Sequence, residues 1–204
     1  MSASPEILIL AGSPRAVSYT RGLARDIGRA LEGQGARVRL LDLYETPLPT
    51  LDPALRARGE DHPDPNAAEL YRLAGRADAF VLATPVYHNS YSGVLKNALD
   101  YLGSGQFKYR PVGLASHGGR SAQAVDHLRQ VVRSVLGVAI PTQVCTATAD
   151  YADVPDETSC HRAVDPEILS RIERFAEELV LFARSLQGLH EAAAAERGAY
   201  TKGP

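Results

Sequence analysis

Several absences bound what this chain does. It has only two cysteines, Cys145 and Cys160, fifteen positions apart and without CxxC spacing. That excludes a zinc set and a disulfide framework, and fits ordinary thiols of an intracellular protein. Charge of one sign is scarce too: 22 basic against 24 acidic residues leave a net charge of −2. No basic footprint for nucleic acid follows from such a balance. No window comes near the roughly 18 apolar residues of a transmembrane helix. The N-terminus, MSASPE, lacks a basic segment leading into an apolar run, so no signal peptide is expected and the location is read as cytoplasmic. There is no internal repeat. Neither GxxxxGK[ST] nor GxGxxG occurs in the first loop, which points away from nucleoside triphosphates and from the dinucleotide-binding fingerprint.

What is present is an alternation of short apolar runs and amphipathic stretches over 204 residues, enough for one α/β domain. Residues 6–11 read as a first strand. A helix follows from Ser18 or Thr20 to Leu31, ended by Gly33 and Gly35. Residues 37–42 alternate enough to lie near a sheet edge. Residues 44–65 are irregular and carry Pro47, Pro49, Pro53, Pro63 and Pro65. A helix near 66–75 leads to the buried run Phe80-Val81-Leu82-Ala83. Val94, Leu95, Ala98, Leu99 and Leu102 then form one face of a helix. The fourth strand spans 111–116, an amphipathic helix 122–136, and the fifth strand lies within 139–148. Residues 103–110 and 149–164 read as irregular. Asp165 and Pro166 open a long helix, as N-cap and first position, which Gly188 should end. The expectation is a doubly wound five-stranded parallel sheet in the order 2-1-3-4-5 with helices on both faces. The domain would span 1–188, with 189–204 a flexible tail.

Three loops follow strands at what should be one edge of that sheet, where open α/β sheets bind ligands. They read GSPRAVSYT from Gly12, TPVYHNSYSGVLKNALDYL from Thr84, and ASHGGRS from Ala115. In this order and spacing they resemble the NADPH-dependent FMN reductase family, a branch of the flavodoxin-like folds, over residues 6 to 150. The resemblance implies an NAD(P)H-dependent reductase that passes a hydride from NADPH or NADH to the N5 of FMN. It also implies a homodimer or homotetramer, with the helix after Gly93 in the contact. Reduced flavin would go to a partner monooxygenase or a small-molecule acceptor. Two alternatives stay open: a quinone- or azo-type reductase with tightly bound FMN, and a flavodoxin-like carrier without turnover. Such carriers tend to be strongly acidic, and a net charge of −2 argues against that reading.

The chemistry of each loop suits these roles. A phosphate carries about two charges and wants several donors. Ser13, Ser18 and Thr20 offer hydroxyls, Arg15 a forked cation, and the helix start free N–H groups. The family resemblance places Tyr19 in the same cofactor loop, and Thr20 where an Asn is common. Capping of the helix by Ser18 is the plain structural alternative. By resemblance, Pro85, Val86, Tyr87, His88, Asn89 and Ser90 lie beside the flavin ring. Tyr91-Ser92-Gly93 looks like the subgroup that supplies sulfonate monooxygenases, where the aromatic residue sits at a subunit interface. A core aromatic is the alternative for Tyr91, and a solvated charge is the reading of Lys96. Ser116, His117, Gly118, Gly119 and Arg120 form the third wall. The glycines would let backbone approach a flat ring; the resemblance implies that His117 stacks on or hydrogen-bonds the pyrimidine end, and that Arg120 meets the reduced ring's N1 and O2 or the nicotinamide nucleotide's phosphate.

Overall fold

The computed structural model describes residues 4–156 and 160–200. Five parallel strands form one sheet: β1 (Glu6–Ala11), β2 (Arg37–Asp42), β3 (Ala79–Pro85), β4 (Pro111–His117) and β5 (Val138–Thr146). Their order is β2-β1-β3-β4-β5, as the sequence predicts, with β2 at an edge. The helices are α1 (Tyr19–Gly33), α2 (Pro65–Arg76), α3 (Gly93–Tyr101), the single turn α4 (Ser104–Phe107), α5 (Gln123–Ser134) and α6 (Pro166–Tyr200).

Side chains alternate across a strand, so β1 feeds two cores. Ile7, Ile9 and Ala11 meet Leu23 and Ile27 of α1 and Phe175 and Leu179 of α6 on one face. Leu8 and Leu10 meet Leu70 of α2, Leu95 and Leu99 of α3 and the Phe80–Leu82 pair of β3 on the other. Each of the isoleucine, leucine and phenylalanine side chains, fully buried, is worth about 1.5–3 kcal/mol. The Phe175 ring lies directly on the backbone of β4: a Cβ at Gly113 would come within 2.2 Å of it.

Helix ends follow their capping residues. Asp165 Oδ1 accepts from the Glu167 and Ile168 amides at 2.8 and 3.1 Å, and Pro166 takes the position needing no donor. Gly35, at φ 81°, lets the chain turn back after α1. The stop expected at Gly188 does not occur, because α6 continues to Tyr200. A glycine inside a helix costs only about 1 kcal/mol against alanine. Leucine, glutamine, glutamate and alanine flank it, and His190 Nδ1 donates to the Lys108 carbonyl at 2.9 Å, pinning the following turn. Residues 201–204 of the expected tail lie outside the described residues.

The proline-rich segment is held on α3. Asn97 accepts from the Leu51 amide at 3.0 Å and donates to the Pro49 carbonyl at 2.8 Å, and the Tyr101 hydroxyl reaches the same carbonyl at 2.9 Å. It is irregular apart from a 3-10 turn at Arg56–Asp61. The chain leaves β1 for β2 on one side and reaches β3 on the other, so the crevice of the sheet opens at the carboxyl ends of β1 and β3.

Candidate active site

The first loop is fastened to β3 and α3. The Gly12 amide donates to the Ala83 carbonyl at 2.8 Å. A Cβ at Gly12 would sit 2.7 Å from the Leu95 Cβ, so glycine is what lets the loop lie against α3. Ser92 clasps both neighbours: its hydroxyl donates to the Gly12 carbonyl at 2.6 Å, and its amide donates to Thr84 Oγ1 at 3.0 Å. It also caps α3 by accepting from the Leu95 amide.

Within the first loop, Ser13 is buried and its hydroxyl accepts from the Arg15 amide at 3.3 Å. Ser18 caps α1, accepting from the Arg21 amide at 3.2 Å, as the structural alternative holds. Arg15 is exposed and has no ion-pair partner among the described residues. Arg21 differs entirely. It is buried, donates to Asp42 at 2.5 Å and Glu45 at 2.9 Å, and holds the Ala16 carbonyl at 2.6 Å. Its charge is neutralised internally, and it shapes the loop from beneath. Nothing in the spacing of Arg21 marked this role, since Asp42 stands 21 positions on.

The second loop turns sharply at His88 and Asn89, both with positive φ, at 48° and 63°. Tyr87 and Ser90 exchange amide–carbonyl bonds of 2.8 and 2.9 Å across them, as in a two-residue hairpin turn. Val86 donates its amide to the His117 carbonyl at 2.8 Å, joining the second loop to the third. Gly118 makes that joint possible, because a Cβ there, at φ 152°, would meet the Val86 Cβ at 2.7 Å.

A cleft of about 210 Å³ lies between the three loops. Ser13, Arg15, Ser18, Tyr19 and Thr20 line it from the first, Pro85, Val86 and Tyr87 from the second, and His117 and Gly118 from the third. Val17 and Thr148 complete the wall. His88, Asn89, Ser90, Ser116, Gly119 and Arg120 do not line it. Ser90 Oγ meets His127 Nδ1 at 3.0 Å, and Ser116 donates to the Ser121 carbonyl at 3.1 Å. Arg120 is turned away from the cleft, reaching Asp150 at 2.5 Å and Asp165 at 3.0 Å.

An aromatic column backs the cleft. Tyr19 stacks on His161, with centroids 3.8 Å apart and planes at 16°, and on His117, at 4.6 Å and 12°. Tyr151 meets Tyr19 and His117 edge-on. Burial lowers the His117 pKa to about 4, with His161 and Arg15 adding to the shift and Asp150 opposing it. The imidazole is therefore neutral at pH 7. Tyr151 and His161 come from the segment 149–164, which has no periodicity. Their aromatic character was the one signal there.

The donors suit a phosphate ester on a flat heteroaromatic ring. A guanidinium without an ion-pair partner among the described residues, hydroxyls, a helix start, the backbone at Gly118 and the apolar Pro85 and Val86 all line this one cleft. Among the described residues no group of three His, Cys, Asp or Glu side chains is placed to hold a metal ion. No described helix is long and apolar enough to cross a membrane.

Comparison with known proteins agrees with this chemistry. Residues 5–151 match the family described as NADPH-dependent FMN reductase. An FMN-dependent NADPH-azoreductase of Staphylococcus aureus is 38% identical over 177 residues, covering 86% of this chain and 93% of the relative. Among solved structures, apo NADH:FMN oxidoreductase (EMOB) is 25% identical with a TM-score of 0.62, covering 85% of this chain and 89% of the other. FerB, an NAD(P)H:(acceptor) oxidoreductase of Paracoccus denitrificans, shares the fold, at a TM-score of 0.68 and 22% identity over 89% of this chain and 98% of its own.

Proposed function

Because the chain belongs to the NADPH-dependent FMN reductase family, an FMN- and NADPH-using group of oxidoreductases, we propose that its FMN lies in the cleft between the three loops, with the phosphate at Arg15 and the ring towards Gly118. Bound FMN supplies the two-electron relay between nicotinamide and acceptor. The chain's own residues bind, orient and tune. Arg15, Ser13 and Thr20 supply charge-assisted and neutral donors to the phosphate. The start of α1 adds a positive dipole end worth about 0.3–1 kcal/mol. Val86 and Gly118 form a wall along which a flat ring can slide in, and the second-loop backbone offers N–H groups to developing negative charge. The neutral His117 adds polarity without a positive charge. The observation that carries this reading is that Arg15, with no ion-pair partner among the described residues, lines the same cleft as Gly118 of the third loop.

We further propose that the electrons pass to a small-molecule acceptor of the azo or quinone class, as in the azoreductase relative, with FMN retained. Release of reduced FMN to a partner monooxygenase, suggested by Tyr91-Ser92-Gly93, is the competing reading. Anaerobic stopped-flow with NADPH distinguishes them. Rapid bleaching of the flavin band without dependence on free FMN supports the retained cofactor. Turnover that saturates in free FMN supports the diffusing one, and no bleaching refutes both.

The protein is also proposed to be a homo-oligomer that buries α3. A groove of about 370 Å³ beside it is lined by Leu43, Pro47, Leu48, Thr50, Gly93, Val94 and Asn97, and Tyr44, next to Leu43 in the chain, is exposed. Light scattering that shows only a 21.9 kDa species overturns this.

A further inference from the structure

The hydroxyl of Thr146, at the end of β5, stands at a junction of three polar groups. It donates to the Ser116 carbonyl at 3.2 Å. It accepts from the Tyr151 hydroxyl at 3.0 Å. Nδ1 of His117 lies 3.1 Å from the same oxygen. Thr146 and Ser116 are fully buried and Tyr151 nearly so.

Counting hydrogens settles who donates. A threonine hydroxyl has one hydrogen and two lone pairs. A carbonyl oxygen only accepts, so the Ser116 contact takes the threonine's hydrogen. Tyr151 fills one lone pair. The contact with His117 is then a hydrogen bond only if Nδ1 carries a hydrogen. Any other arrangement loses at least one of three buried bonds, and unmade bonds in a dry interior are expensive. A neutral imidazole has one N–H, and burial keeps His117 neutral above a pKa of about 4. With Nδ1 protonated, Nε2 is left bare, and it has no hydrogen-bond partner among the described residues.

We propose that Thr146 is a positioning residue that fixes His117 in the Nδ1-protonated tautomer, so that Nε2 offers the cleft a lone pair and recognises a ring N–H of the flavin. Oxidised flavin has a single ring N–H, at N3, so this acceptor selects for that edge of the ring. The recognition clause rests on the reading of the cleft as the flavin site, whereas the tautomer clause does not.

The test begins with two-bond proton–nitrogen correlation spectra of the flavin-free protein near neutral pH. The expected spectrum shows a protonated, pyrrole-type Nδ1 and a bare, pyridine-type Nε2 for His117. The reverse pattern overturns the assignment. Thr146→Val should release the tautomer, giving shifts averaged between the two forms, and Thr146→Ser should restore it. Should the valine variant not fold, the wild-type and serine spectra decide the matter alone. Binding of FMN and N3-methyl-FMN is then compared. Wild type should prefer FMN by about tenfold, the order of one net hydrogen bond, and His117→Ala should lose that preference. Equal wild-type affinities overturn the recognition clause. If FMN saturates the protein without moving the His117 signals, the cleft reading fails and the tautomer result stands.

Discussion

The first and third loops look like equivalents in sequence: each follows a buried parallel strand, carries serine and glycine, and offers one arginine before a helix. In the fold their arginines have opposite fates. Arg15 lines the cleft with its charge unpaired among the described residues, whereas Arg120, at φ 56°, turns outward onto two carboxylates. Asp150 receives that guanidinium while accepting the Ala147 amide at 2.7 Å. The buried side chain, the two short contacts and the amide together make Arg120 a brace between the third loop and the start of α6. A cation beside a ligand loop becomes a ligand group only if the fold leaves it without a carboxylate.

Changes that break the two supports separately should sharpen this contrast. The largest effect is expected from Gly22→Ala. A Cβ there would come within 1.9 Å of the His161 carbonyl oxygen, a backbone atom that cannot step aside. Denaturant unfolding should show a loss of about 3 kcal/mol or more, with the first loop's stack on His161 disrupted. Gly118→Ala comes next, at about 1–3 kcal/mol, and adding Val86→Gly should recover part of it by emptying the contested space. Arg120→Ala should lower Tm by uncovering Asp150 while leaving FMN affinity unchanged, which calorimetry and flavin titration read side by side.

A separate effect is expected from pH. His117 has a folded pKa of about 4 against an ordinary 6.5. The unfolded chain therefore binds the proton more readily between those values, and stability rises with pH in that window. Its contribution is complete above about pH 6.5 and is lost as pH falls towards 4. His117→Gln should flatten that part of the stability–pH curve. Smallest is Lys96→Ala: the Lys96–Asp100 pair is half exposed on α3, and its removal should change stability by only about 0.3–0.5 kcal/mol.

Much of the architecture was legible because parallel strands buried on both faces read as apolar runs. Phe80–Ala83 and Ile7–Leu10 therefore announced themselves, and amphipathic faces marked the helices between. Convergence of the three loops followed from topology, since β1, β3 and β4 are neighbours. What stayed hidden depended on distant partners. Asp150 and Asp165 lie 30 and 45 positions from Arg120. The hairpin turn at His88 and Asn89, neither of which lines the cleft, depends on two positive φ angles at residues other than glycine. Tyr151 reaches His117, and His161 reaches Tyr19, from a segment whose sequence has no period. Gly188 misled because a local helix breaker weighs less than the helix formers and the His190 contact around it.

On this reading the first loop holds the flavin phosphate and the third loop's arginine does not. Titration of FMN and of riboflavin into wild type, Ser13→Ala/Arg15→Ala and Arg120→Ala tests it most directly. The first-loop variant should lose about 10- to 100-fold in FMN affinity, the order of one charge-assisted hydrogen bond. Its riboflavin affinity should stay near wild type, and Arg120→Ala should change neither. Equal losses for FMN and riboflavin in the first-loop variant, or a selective FMN loss in Arg120→Ala, would contradict it.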